Sequence, residues 1–172
     1  MVDVQTQQGS PFWRFSLRFY RQPGVADACI ALQDGCGVDV NVLLFFLWLA
    51  TARRIVPLAA AKAVCAKVAP WQDDVVVPLR ALRRRLKDGS PLVERGAAEV
   101  LRTKIKAVEL ESERLQQEAM FGLAAGLAME NAPTVEAAVR ANVVAHEQAL
   151  ARTFAPEAVS VLVSALLTDE PG

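Results

Sequence analysis

One uninterrupted apolar block, VLLFFLWLA over residues 42–50, constrains the fold of this chain more than any other feature. Asp39 stands just before it, and an aspartate can begin a helix because its carboxylate accepts hydrogen bonds from the free amides of the first turn. A helix through this block is apolar on every face, so other helices must surround it. The block is about half as long as a membrane span. We therefore expect a soluble protein built around one central helix, about 40–54.

The rest of the sequence predicts helices that could pack around the central helix. Hydrophobic residues make up 53% of the 172 residues, and many of them are Ala, Val and Leu, which suit close-packed helices. The period-two alternation of a half-buried strand is absent from the sequence. We predict an all-α fold, a single compact bundle of about seven or eight helices. The chain is expected to be one helical domain, 1–172, with flexible tails at 1–9 and 169–172.

Capping residues, prolines and glycines set the expected helix limits. Ser10 followed by Pro11 is a good helix start, and Gly35 and Gly37 should stop the second helix. Asp73 should start the fifth helix and Thr134 should cap the seventh. The predicted helices cover about residues 11–21, 25–34, 40–54, 57–69, 73–87, 92–128, 135–154 and 156–167.

The sixth predicted helix, 92–128, is long and amphipathic. Its apolar stripe consists of Leu101, Ile105, Val108, Leu115 and Phe121. The residues expected to face water are Glu109, Glu111, Glu113, Arg114 and Glu118. A helix of this length often serves as a spine or as an oligomer contact, so a homodimer through it is one expectation.

Three cysteines and one histidine suggest little chemistry. Cys29, Cys36 and Cys65 lack the CxxC spacing of a zinc site, and we expect reduced thiols in a cytoplasmic protein. The N-terminal segment lacks the basic start and apolar stretch of a secretory signal. His146 precedes Glu147, but no nucleophile motif accompanies the pair. No catalytic residue, metal site or cofactor is predicted.

The net charge of the chain is zero, but positive and negative residues are unevenly distributed along it. Residues 1–87 carry twelve Lys or Arg and six Asp or Glu, a net of +6, whereas residues 88–172 carry seven and thirteen, a net of −6. The candidate basic face consists of Arg53, Arg54, Arg80, Arg83, Arg84, Arg85 and Lys87. Such a run is usually a solvated helix face, but it also fits an acidic protein surface. Nucleic acid is a weaker partner, because the total charge is neutral and no nucleic-acid-binding motif is present.

A polar junction before the central helix is the candidate ligand pocket. Its members are Trp13, Gln33, Asp34, Asp39, Asn41 and Trp48. Short polar side chains at a helix junction usually bond to the backbone groups around them. A small polar pocket rimmed by aromatic rings could also hold a ligand. Both interpretations stay open.

Three segments carry a resemblance to a known family: FWRFSLRFY at 12–20, PGV.DACIALQD at 23–34 and DVNVLLFFLWLA at 39–50. Together they resemble a family of small proteobacterial proteins defined by a domain of unknown function. The resemblance is best over about 11–60 and weaker through about 155. It implies a compact, all-helical cytoplasmic protein and supplies no catalytic residue.

None of these patterns specifies a function. The leading hypothesis is a cytoplasmic adaptor or regulatory protein that binds another protein, whose surface could be acidic. The alternative is a small-molecule-binding protein, or an enzyme with a pocket among the first three helices. A third hypothesis is nucleic-acid association through the basic face at 80–87. No membrane partner is expected.

Overall fold

The computed structural model describes residues 9–168. Apart from Gly9, the predicted flexible tails lie outside the described residues, and that prediction stays open. The described chain forms eight α-helices: α1 (Pro11–Tyr20), α2 (Val25–Cys36), α3 (Val40–Thr51), α4 (Leu58–Trp71), α5 (Val77–Arg85), α6 (Arg95–Ala124), α7 (Val135–Leu150) and α8 (Pro156–Thr168). Two strands of two residues each, β1 (Arg54–Ile55) and β2 (Glu130–Asn131), complete the regular structure. The predicted all-α fold is confirmed.

Three helices begin as their capping residues predict. Ser10 and Thr134 each accept a hydrogen bond, at 3.1 Å, from the backbone amide three residues later. Asp39 accepts one from the amide of Asn41 at 2.9 Å. These bonds satisfy amides that a first helical turn leaves free. The second helix runs to Cys36, two residues further than predicted, and Gly37 caps its end with a φ of +61°, at which a side chain would be strained.

The chain divides into two compact units, each described here by itself. The core unit contains the described residues 9–67 and 117–168. The two-helix unit contains residues 68–116, which include α5 and most of α6. The prediction of one domain over 1–172 remains a prediction.

Helix α3 is the buried centre of the core unit, as the apolar block predicts. Every residue from Asn41 to Ala50 is buried except Trp48, which is half-buried. The helix packs against α1, α2 and α7, and it makes its largest contact with α7. The ring of Phe45 lies 5.3 Å from that of Phe12 in α1. Full burial of one such side chain contributes about 1.5–3 kcal/mol, so α3 anchors the fold of this unit.

The segment after α3 departs from the sequence prediction. The helix ends at Thr51 instead of near residue 54, and Arg53 has a positive φ of 55°. Strand β1 then pairs with β2 in antiparallel register, with Arg54 opposite Asn131. The sequence has no alternating pattern at these strands, because a segment of two residues is too short to show one.

The predicted break between the fourth and fifth helices was also wrong. Helix α4 continues through Pro70 to Trp71, a π-helical segment (Gln72–Val76) follows, and α5 begins at Val77. A proline removes one backbone donor and crowds the carbonyl four residues earlier. Two prolines, Pro70 and Pro78, flank this segment, and its wider π turn accommodates the interrupted bonding pattern without ending the helix.

The two-helix unit buries unexpected residues of α6. The buried positions of α6 in this unit are Ala98, Glu109, Ser112 and Gln116. Trp71 donates a hydrogen bond from its indole Nε1 to the carbonyl of Ser112 at 3.0 Å. The prediction that Glu109 faces water was therefore wrong. Between Glu109 and Gln116, the polar side of α6 points into the two-helix unit.

Candidate functional site

Polar side chains at the start of the central helix bond to one another in the structure. Asp39 caps α3, and the buried Asn41 accepts a hydrogen bond at 2.7 Å from Nε2 of Gln117. The amide of Ser10 donates to a carboxylate oxygen of Glu118 at 2.8 Å. These bonds join the starts of α1 and α3 to the last part of α6 within the core unit. The Asp39 carboxylate and the side-chain oxygen of Asn41 are thus both bonded within the protein.

The aromatic members of the predicted pocket belong to the core packing. Trp13 is buried, and the half-buried Trp48 contacts the tilted rings of Phe12 and Phe121, at ring-centre distances of 5.5 Å and 5.6 Å. Such aromatic pairs stabilise a core beyond the area they bury.

The two α2 members of the predicted pocket, Gln33 and Asp34, lie nearer the surface. Gln33 is half-buried and Asp34 is exposed. The side-chain Nε2 of Gln33 donates a hydrogen bond to the Asp34 carboxylate at 3.4 Å. A ligand bound among the six junction residues stays a prediction.

Two open cavities lie elsewhere on the described surface. One, of about 450 Å³, follows the loop between α5 and α6 and is lined by residues such as Lys87, Ser90 and Arg95. The other, of about 380 Å³, is bordered by Gln22 and by the α8 residue Val161. Neither is lined by a residue of the predicted pocket.

The candidate basic face is divided between the two units. Arg53 is exposed in the core unit, and Arg54 donates a hydrogen bond to the side chain of Asn131 at 2.5 Å. Three further members, Arg84, Arg85 and Lys87, are exposed in the two-helix unit. The face is therefore not one continuous stripe on a single helix.

Arg80 and Arg83, the remaining members of that face, clamp a buried carboxylate. Nε of Arg80 lies 3.0 Å from Glu109 and its Nη2 lies 2.7 Å from Glu113. Arg83 bonds to both carboxylate oxygens of Glu109, and this hydrogen bonding raises the pKa of the guanidinium. A two-pronged Arg–carboxylate contact is among the stronger ion pairs of proteins. We call Arg80, Arg83 and Glu109 the arginine clamp, and it fixes the rotation of α6 relative to α5.

The other side of α6 presents a row of exposed residues with coiled-coil spacing. Their separations alternate between four and three residues, which aligns them along one face of a helix. We call this row the α6 seam, and it consists of Ala97, Leu101, Lys104, Val108, Glu111 and Leu115. Leu101, Val108 and Leu115 are 50%, 54% and 45% exposed, respectively. Large apolar side chains at every seventh position on a surface are typical of a helix that packs against a partner.

The histidine and two of the cysteines have shifted pKa values in the core unit. His146 packs edge-on between the rings of Phe46 and Phe154, and burial lowers its pKa to about 4. Burial raises the pKa of the Cys29 thiol to about 12. Burial and the nearby Asp39 carboxylate raise that of Cys65 to about 11. At neutral pH the histidine is uncharged and both sulfurs are protonated, so none of them resembles an activated catalytic group.

Two further features are absent from the part of the chain that the structure describes. Between residues 9 and 168, no three His, Cys, Asp or Glu side chains come together as metal ligands. No helix in the same range combines the length and the apolar character that crossing a bilayer requires.

Residues 11–120 match a family model described as "Protein of unknown function (DUF2390)". The chain belongs to the DUF2390 family. No curated protein and no solved structure matches the chain. The DUF2390 match includes the arginine clamp and the α6 seam and ends before α7 begins. The family description names no activity, so function has to be argued from the surface itself.

Sequence reasoning found half of the α6 seam. The apolar stripe predicted from the sequence contains Leu101, Val108 and Leu115. It also contains Ile105 and Phe121, which do not belong to the seam. The four–three spacing that also includes Lys104 and Glu111 was a readable signal that this interpretation missed. Which face of α6 is exposed depends on the arginine clamp, whose arginines lie 29 and 26 positions before Glu109.

Proposed function

We propose that this protein is a protein-binding adaptor or regulatory protein, and that its docking surface is the α6 seam. One observation carries the proposal: α6 turns Glu109, Ser112 and Gln116 inward and leaves the leucines and valine of its seam in water. Apolar side chains of this size are normally the residues that a protein buries. A second helix laid along the seam would remove them from water.

The arginine clamp supports this proposal. Turning α6 to bury its seam within the chain would pull Glu109 away from Arg80 and Arg83. The rotation would break these ion pairs and turn the Glu109 carboxylate toward water, so the favourable free energy of the two-pronged contact opposes it. The exposed seam is thus held outward by the same contacts that join α5 and α6.

The arginine clamp also changes the expected role of the basic face. Arg80 and Arg83 already neutralise Glu109, so an acidic partner would meet mainly the exposed Arg85 and Lys87. Exposed charges of this kind affect the rate of encounter more than the final affinity. Apolar contact along the α6 seam is therefore the main source of binding free energy in this proposal.

A photocrosslinking experiment tests the docking surface. The photoreactive residue p-benzoylphenylalanine replaces Val108 in the seam or, as a matched control, Val144 in α7, which is also exposed. Illumination in an extract of the native cells should give an adduct from position 108. The adduct should disappear when Leu101→Glu and Leu115→Glu are added. Equal adducts from positions 108 and 144, or none from position 108, would overturn the proposal.

We also propose that the protein acts in the cytoplasm of a bacterial cell. All three cysteines are free thiols, and Cys29 is buried where it packs as an apolar residue. Reduced cysteines suit a compartment that keeps thiols reduced. Fractionation of cells with an antibody against the protein tests this proposal, since recovery in the periplasm or the medium would contradict it.

A further inference from the structure

The charged members of the α6 seam restrict what can pack on it. Lys104 and Glu111 lie between the apolar positions Leu101, Val108 and Leu115, and all five are exposed. The three apolar residues are seven apart, so they occupy equivalent places in successive heptads. Lys104 and Glu111 are also seven apart, so they occupy the other heptad position of the seam in two successive heptads. A partner helix must therefore meet a lysine in one heptad and a glutamate in the next.

A second copy of the same helix meets that requirement in only one direction. In a parallel, in-register pair, Lys104 would face Lys104 of the partner subunit, and Glu111 would face the partner's Glu111. Like charges placed together are unfavourable. In an antiparallel pair, Lys104 comes within reach of Glu111 of the partner subunit, and twofold symmetry repeats this favourable contact.

The wider charge pattern of α6 favours the same direction. Residues 95–107 carry four Lys or Arg and one Glu, a net of +3, and residues 108–116 carry one Arg and three Glu, a net of −2. Antiparallel pairing lays the basic half of one helix on the acidic half of the other. The α6 portion within the two-helix unit is about 33 Å long, at 1.5 Å per residue, so the two halves are separate charge regions.

We propose that the occupant of the α6 seam is a second copy of this chain, bound antiparallel, with the two α6 helices crossing near residues 106–108. In this arrangement the apolar residues Leu101, Val108 and Leu115 lie along one shared interface. Lys104 of each copy pairs with Glu111 of the partner subunit. This inference rests on the proposed function, because it identifies the partner of the same docking surface.

Charge reversal in the purified full chain tests the pairing. Sedimentation equilibrium over a series of protein concentrations should detect a dimer. Lys104→Glu and Glu111→Lys should each weaken dimerisation at least about tenfold, since symmetry creates two like-charge contacts. The double variant should restore the dimer to within about threefold of the natural chain, because each opposite-charge pair is re-formed.

A matched control and a folding measurement accompany these variants. Glu136→Lys removes the exposed ion pair between Glu136 and Arg140 in the core unit. This variant should leave the dimerisation constant unchanged. Far-ultraviolet circular dichroism establishes that each variant remains helical. A folded single variant that dimerises as strongly as the natural chain would overturn the antiparallel pairing.

A monomeric natural chain would also overturn this inference, and crosslinking from position 108 then separates the two proposals. An adduct with a different protein, lost with Leu101→Glu and Leu115→Glu, would leave the docking surface in place with another occupant. The absence of both a dimer and an adduct would reject the docking surface as well. An adduct of twice the chain mass from the purified protein, lost with the same substitutions, supports the second copy.

Discussion

The core unit and the two-helix unit distribute their apolar residues in opposite ways. In the core unit, the apolar residues of α3 from Val42 to Ala50 are buried, apart from the half-buried Trp48. In the two-helix unit, Leu101 and Val108 are about half exposed, whereas Glu109 is 5% exposed. The core unit buries apolar side chains around α3, whereas the two-helix unit buries charged hydrogen bonds and leaves a row of apolar side chains exposed, which we propose as the docking surface. The contrast shows that apolar character along a helix does not by itself identify the side that a chain buries.

Truncating one leucine in each unit is the strongest test of this contrast. Leu47→Ala in α3 should lower the free energy of unfolding by about 3–4 kcal/mol, because Leu47 is fully buried and the change leaves a cavity. Leu101→Ala should lower it by less than about 0.5 kcal/mol when the protein is dilute, since half of that side chain is already in water. Urea unfolding followed by circular dichroism measures both values. Equal losses would show that the seam is packed within the chain.

Removing the amide of Asn142 should have the next largest effect. This fully buried residue of α7 donates to the carbonyls of Phe46 and Arg54, at 2.9 Å and 3.0 Å, and accepts from the amide of Val56 at 2.8 Å. Asn142→Ala leaves these backbone groups without partners and should cost about 3 kcal/mol of unfolding free energy. Gln148→Ala, at an exposed position of the same helix, is the control. A similar cost in both variants would remove Asn142 from its proposed role.

Acidification should weaken the core unit through His146. Its pKa is about 4 in the folded chain, against 6.5 for an ordinary histidine, because burial disfavours the charged ring. As pH falls from 6.5 to 4, the unfolded chain takes up a proton that the folded chain does not, so stability falls. The loss reaches about 3 kcal/mol below pH 4.

His146→Phe isolates this contribution, because the variant keeps an aromatic ring between Phe46 and Phe154 and cannot be protonated. Unfolding free energies of both proteins are measured from pH 7 to pH 4, and the difference between them should change over that window. A difference that stays constant would exclude His146 as the cause. The carboxylates of the chain titrate in both proteins and cancel in this comparison.

Breaking the arginine clamp should give the smallest of these effects. Glu109→Gln removes the charge that Arg80 and Arg83 share and should lower the unfolding free energy by about 1–2 kcal/mol. The guanidinium groups are 14% and 22% exposed, so water compensates part of the loss. Glu136→Gln, which breaks an exposed pair with Arg140, should cost less than about 0.5 kcal/mol. Thermal unfolding compares the two variants, and equal shifts in Tm would contradict a structural role for the clamp.

Local patterns predicted a large part of the fold. Ser10, Asp39 and Thr134 mark helix starts because each side chain reaches an amide two or three residues away, which neighbouring sequence determines. Predictions failed where distant residues decide the outcome. Strand β1 exists because it pairs with β2, whose residues lie 75 to 77 positions further along the chain. Arg54 pairs with Asn131, and Ile55 pairs with Glu130. The continuation of α4 through Pro70 likewise depends on a π segment that helix rules do not anticipate.

The amino-acid sequence by itself determined that the chain is helical and that α3 lies inside, because a helix that is apolar on every face has no side suited to water. Only the tertiary structure decided which side of α6 points outward. That helix has an apolar row and a polar row, and either could face the protein. Arg80 and Arg83 settle the choice by binding Glu109, and the free energy of those contacts depends on a spatial proximity that periodicity along α6 does not contain.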